Sequence, residues 1–256
     1  MQEKIQQYLQ QIEADKDITI LLACETGSRA WGIPSPESDY DIRIIYVHKK
    51  DWYLSLSEKK DSIDLMFENN NIDITGWDLK KSMKLLAKSN AGLLERIQSP
   101  IVYQSHPDFI KKITALAQVQ YSKIATIHHY LSMAKGFIYD VNSEADYKLK
   151  KFFYALRSTI TCKWIMEKES IPPIEFKEMY MNLNLDHALV SRIDELILLK
   201  STIKEGYLHS GEEELRQFMD DVIKEADKKR KSLPSAKGNM NDLNELFINT
   251  VTEYDN

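Results

Sequence analysis

Hydrophobic positions divide the chain into two stretches of different rhythm. Ile5, Tyr8, Leu9 and Ile12 recur at helical spacing, so an amphipathic helix is predicted at the start. Ile18-Thr19-Ile20-Leu21-Leu22-Ala23-Cys24 is a continuous apolar run, β-branched at its start and too short for a typical helix, and reads as a buried strand. A Gly-Ser turn follows. Pro34 and Pro36 then exclude regular structure over 33–37. Strands are predicted at 39–47, 62–67 and 72–75, with a short helix or turn within 51–60, a turn at Asn69-Asn70-Asn71, and Gly76 ending the last strand. Asp78 reads as the N-cap of a helix carrying Leu79, Met83, Leu85 and Leu86. A second short helix at 92–98 is stopped by Ser99-Pro100, and 101–103 forms a further short strand. From about Pro107 helical periodicity dominates, at 109–139, 144–167, 186–204, 212–231 and 241–251, with loops at Ile171-Pro172-Pro173-Ile174 and Leu233-Pro234-Ser235. The pattern predicts a mixed α/β half, 1–105, and an all-helical half, 106–256, with the boundary near 104–107.

Composition narrows the class without naming it. The 256 residues carry a net charge of −5, which removes any general electrostatic pull towards nucleic acid but leaves room for a local basic patch. Cys24 and Cys162 lie far apart in apolar surroundings and read as reduced core residues. Met1-Gln2-Glu3-Lys4 leads into a polar amphipathic stretch, not a secretory signal, and no apolar run approaches the ~20 residues of a membrane span. A cytoplasmic protein with no membrane partner is expected.

The chemistry is concentrated between residues 27 and 41. Asp39 and Asp41 would share one face of a strand, with Cα atoms about 6.5–7 Å apart, close enough for both carboxylates to serve one divalent cation or a pair. Asp-x-Asp alone is common at solvated strand starts. Gly27 permits φ > 0 and close approach of a ligand to the backbone, and a helix beginning at Ser28 would offer free N–H groups to a phosphate. That turn alone is also common. Strand, Gly-Ser turn, connection and Asp-x-Asp strand in sequence together favour phosphoryl or nucleotidyl chemistry.

Gly27-Ser28-Arg29-Ala30-Trp31-Gly32 followed by Ser38-Asp39-Tyr40-Asp41 resembles the signature of the nucleotidyltransferase superfamily, the fold of DNA polymerase β, and within it the bacterial nucleotidyltransferases associated with RNA ligases. Gly76-Trp77-Asp78-Leu79-Lys80-Lys81, Leu85-Leu86, Ser89-Asn90, Leu94-Glu95, Ser99-Pro100-Ile101-Val102-Tyr103 and the 148–164 segment with Phe152, Tyr154 and Arg157 resemble its later motifs, so the likeness extends to about residue 165. It implies an α+β fold: a small mixed-sheet nucleotidyltransferase core, then an all-helical domain closing the cleft. It implies two Mg²⁺ ions, with Mn²⁺ as a substitute, held by Asp39, Asp41 and a third acid. Asp73 is preferred to Asp64, which has similar apolar flanks, because Gly76-Trp77-Asp78 follows it in the family's order. The implied reaction moves a nucleoside monophosphate from an NTP, with ATP the expected donor, to a hydroxyl acceptor on RNA, protein or a small molecule.

Gly27, Ser28 and Arg29 would hold the nucleotide's phosphates. Arg29 has a plain alternative in an ion pair with Asp39 or Glu25. Arg43 continues the aspartate face and reads chiefly as a neutralising cation, and Trp31 as packing. Lys151, Tyr154 and Arg157, spaced by three, share a helix face that would meet the base or the acceptor, the plain alternative being a solvated basic face. His128-His129 lacks metal-ligand spacing to any second His or Cys. Two rival functions are a nucleotide-binding sensor or antitoxin-like partner without turnover, and a phosphohydrolase using the same metals.

Overall fold

The computed structural model describes residues 1–69, 71–143, 145–236 and 238–255. Asn70 of the expected turn and Glu144, the expected start of a helical pattern, lie outside them. The fold is mixed α+β, and its contacts divide it into two compact units assembled from separate stretches: Met1–Gly27, Asp39–Tyr121 and Lys237–Asn256 in one, Ser28–Ser38 and Ser122–Ala236 in the other.

The first unit is built on a five-stranded sheet of β1 (Ile18–Glu25), β2 (Tyr40–His48), β3 (Ser62–Phe67), β4 (Ile72–Asp78) and β5 (Val102–Ser105), in the order β3-β4-β2-β1-β5. Only β2 and β4 run parallel, with Tyr40 opposite Ile72 and Tyr46 opposite Asp78. Helix α1 (Gln2–Lys16) lays Ile5, Leu9 and Ile12 against Ile20, Ile42, Ile44 and Ile74 in one apolar cluster. Period-two alternation therefore leaves the opposite faces of β2 and β4 to Asp41, Arg43, Asp73, Thr75 and Trp77. Gly76, expected to end β4, lies inside it. A Cβ there would come within 2.6 Å of Ile44 Cγ1, so the missing side chain lets the strand run on to Asp78.

Asp78 then caps α4 (Leu79–Ala87), which follows α2 (Gly27–Ala30) and α3 (Lys50–Leu54) in chain order. Its Oδ1 accepts from Lys80 N at 2.7 Å, and its Oδ2 from the Tyr53 hydroxyl at 2.6 Å. Helix α5 (Ala91–Gln98) and helix α6 (Pro107–Gln120) complete this part of the unit.

In the second unit α7 (Lys123–Asn142) and α8 (Leu149–Glu167) form the main helical pair, joined by α9 (Phe176–Met181), α10 (His187–Thr202) and α11 (Glu213–Lys229). The single pattern expected over 109–139 is two helices. Tyr121 is extended and Ser122 Oγ accepts from Ala125 N, starting α7 afresh. A two-stranded ladder, β6 (Tyr147–Lys148) with β7 (Leu208–His209), and the short α9 were not expected, because two-residue strands and a helix behind a double proline leave almost no periodic signal. Helix α12 (Met240–Glu253) contacts α4, α6 and β2 and belongs to the first unit.

Asp78→Ala removes both the cap and the acceptor of a mostly buried tyrosine hydroxyl. It should cost about 1–3 kcal/mol, read as a lower urea midpoint with unchanged m-value.

Candidate active site

β2 starts at Tyr40, so Asp39 lies one residue ahead of it and Asp41 within it. The parallel register sets Asp41 directly beside Asp73 of β4. Two like charges on adjacent strands repel, and Arg43, two positions along β2 on the same face, answers them. Its Nη2 lies 2.6 Å from Asp41 Oδ1 and 3.0 Å from Asp73 Oδ2, while Nη1 donates to the carbonyls of Ile42 and Asp73. Burial, with Asp39 and Asp73 nearby, still pushes the Asp41 carboxyl above the usual range, against the pull of Arg43. Asp64 sits on edge strand β3, is largely exposed and pairs with Lys60 at 3.4 Å. The acid beside Asp41 is therefore Asp73.

Gly27 presses on the same carboxylate. With φ +69° it is in the left-handed region, and a Cβ there would fall 2.2 Å from Asp41 Oδ2. Thr26 N donates to Asp41 O at 2.9 Å, tying the end of β1 to the start of β2.

Behind the acids lies a residue that the apolar periodicity of α5 hides. Arg96 is buried, its guanidinium 3.4 Å from the Trp77 ring centroid and its Nη1 donating to Ile44 O at 3.0 Å. Burial lowers its pKa to about 9. A charged residue among Leu93, Leu94 and Ile97 was the available signal. Cys24 is buried nearby, its thiol raised to about 12 by burial and so inert.

Ser28 and Arg29 fall in the second unit. Ser28 Oγ bonds Ser38 Oγ at 3.1 Å, and Ser38 Oγ also accepts from Ser35 N at 2.8 Å, so the connection closes on itself. Lys200 Nζ donates to Ile33 O at 2.6 Å and Phe176 N to Trp31 O at 2.9 Å. Arg29 is half-buried. Arg157 is buried, 4.1 Å from the Trp31 ring centroid and bonded to Ile174 O. Tyr154 meets Trp31 edge-on, and exposed Lys151 pairs with Asp140. The Lys151–Tyr154–Arg157 row thus runs from solvent into the core.

A mixed sheet with adjoining acids at the start of its parallel strand pair, behind a Gly-Ser turn, defines a member of the nucleotidyltransferase superfamily. The family model described as "RNA repair pathway DNA polymerase beta family" matches residues 1–249, and the chain belongs to that family. The chain is 35% identical over 254 residues to the uncharacterized protein YcgL of Bacillus subtilis (strain 168), covering 99% of this chain and 97% of that one. Among solved structures it is similar to a nucleotidyltransferase-like protein from Exiguobacterium sibiricum 255-15, with 11% identity, a TM-score of 0.34, and coverage of 98% of this chain and 81% of that one. Among the described residues no helix is long and apolar enough to cross a membrane.

The Asp41 shift has a definite sign. Its folded-state pKa is raised, so the folded state holds the proton more tightly, and stability falls as pH rises from 3.8 through the raised value. Asp41→Asn should therefore raise the melting temperature at neutral pH, with the gain vanishing near pH 3.8. Gly27→Ala should lower it at every pH, because the new methyl group displaces the carboxylate and strains the backbone.

Proposed function

We propose that the protein is a Mg²⁺-dependent nucleotidyltransferase that moves a nucleoside monophosphate from an NTP, with ATP the expected donor, to a hydroxyl on an RNA end. The observation that carries the reading is the register placing Asp41 beside Asp73 with Asp39 two residues away. The family's description, which names an RNA repair pathway, favours RNA as the acceptor.

The donor chemistry fits a hard divalent cation, with carboxylate oxygens only and like charges that already require a cation between them. Among the described residues no three His, Cys, Asp or Glu side chains are gathered as an ion site. Arg43 sits between two of the acids, and Asp39, Asp41 and Asp73 would hold the metal. Bound there, Mg²⁺ would supply neutralisation of phosphate charge and a more acidic hydroxyl.

The chain's own groups do the rest. Asp73 accepts the proton of the attacking hydroxyl. Gly27, Ser28 and Arg29 would hold the phosphates through the backbone N–H groups of their turn. Pyrophosphate leaves as the new phosphodiester forms.

ATP labelled at the α-phosphate, incubated with Mg²⁺ and RNA, should transfer label to the RNA. Transfer should fall at least about 100-fold in Asp39→Ala/Asp41→Ala and in Asp73→Asn. Undiminished transfer by the double variant would defeat the site. ATP binding without pyrophosphate release would make the protein a nucleotide sensor, and free nucleoside monophosphate as the main product a hydrolase.

A further inference from the structure

Helix α4 lines up like charges along one side. Lys80, Lys84 and Lys88 recur at i, i+4 and i+8 along α4 and its C-cap, and all three are exposed. Like charges at that spacing repel. Lys80 also lies in the first turn, where the helix dipole favours acids, and α4 has no acid there. Several other lysines of the same unit are paired: Lys81 with Asp61, Lys60 with Asp64, Lys49 with Asp17 and Lys4 with Glu68. The three in the stripe make no ion pair among the described residues, in a chain whose net charge is −5.

The stripe borders a cleft of about 480 Å³ lined by Lys80, Lys84, Lys59 and Trp52. Lys59 Nζ stands 5.6 Å from the Trp52 ring centroid, and the other lysine there is Lys81. Of the acids in the cleft, Asp61 is held by Lys81, Asp78 caps α4, and Glu58 is exposed. Positive charge is thus left over beside Trp52, whose ring stacks on His48 at 4.0 Å, a basic surface suited to the phosphates of a single strand of nucleic acid.

We propose that Lys80, Lys84 and Lys88, with Lys59 and Trp52, form the docking surface for the body of the acceptor RNA, an assignment that rests on the RNA-directed reading above. The five steps from Asp73 to Asp78 span about 17 Å of strand. The stripe itself is about 12 Å long. At about 3.4 Å per nucleotide, three nucleotides ending at the acids fall short of the stripe, whereas about twelve are long enough to reach it.

The test measures binding and labelling of RNAs of about twelve and about three nucleotides by wild type, Lys80→Gln/Lys84→Gln/Lys88→Gln and the matching triple arginine variant. The glutamine variant relieves repulsion, so its melting temperature should match or exceed wild type. For the longer RNA it should bind at least tenfold more weakly, with a salt slope shallower by about 2, while the arginine variant binds normally. Labelling of the short RNA should be equal in all three. Unchanged binding and labelling of the longer RNA by the glutamine variant would overturn the surface while leaving the transferase reading intact. Stripe-dependent RNA binding with no label transferred by wild type would do the reverse. A polyglutamate peptide bound at the stripe as tightly as RNA would also overturn it, in favour of an acidic protein partner.

Discussion

One guanidinium nitrogen, 2.6 Å from Asp41 and 3.0 Å from Asp73, lets two carboxylates occupy adjoining positions of a parallel strand pair. Without an intervening cation, that register would set two half-buried negative charges against each other at the start of the sheet's central strands. Arg43 is placed to prevent this by the same alternation that turns the aspartates away from α1, and its backbone bonds to Ile42 and Asp73 fix the angle of its fork. The pairing is thermodynamically tense all the same, since burial keeps the Asp41 carboxyl reluctant to ionise.

Neighbouring residues close tightly around that arrangement. Gly76 allows β4 to approach Ile44, Gly27 allows the end of β1 to rest on the Asp41 carboxylate, and Arg96 braces Trp77 from behind. Each is a position where a side chain's size or charge, not its hydrophobicity, decides whether the strands can come together.

That distinction explains what was legible in the sequence. The five strands, the Asp78 cap and the Asp39/Asp41 motif announced themselves because apolar periodicity and local turn chemistry act within a few residues. The preference for Asp73 over Asp64 came from motif order, and the strand register supplies a physical counterpart: one acid faces Asp41 and the other lies on an edge. Arg96 was hidden because its neighbours in α5 are apolar and its partners, Trp77 and Ile44, are distant in sequence. The break at Tyr121 was hidden because both flanking helices keep the same period. Arg157 read as part of a basic face, yet it lies under Trp31, since spacing by three reports a shared face but not its depth.

The segment Ser28–Ser38 packs with residues that follow it by more than a hundred positions, and α12, near the end of the chain, packs with the unit that begins at Met1. The packing of the first unit is therefore complete only once α12 has been made, and the Gly-Ser connection meets its partners only once α8 and α10 exist. Pairing across such separations is entropically slow. Nascent molecules consequently pass through a period in which α4 and α6 lack their final cover, when chaperone protection would count most.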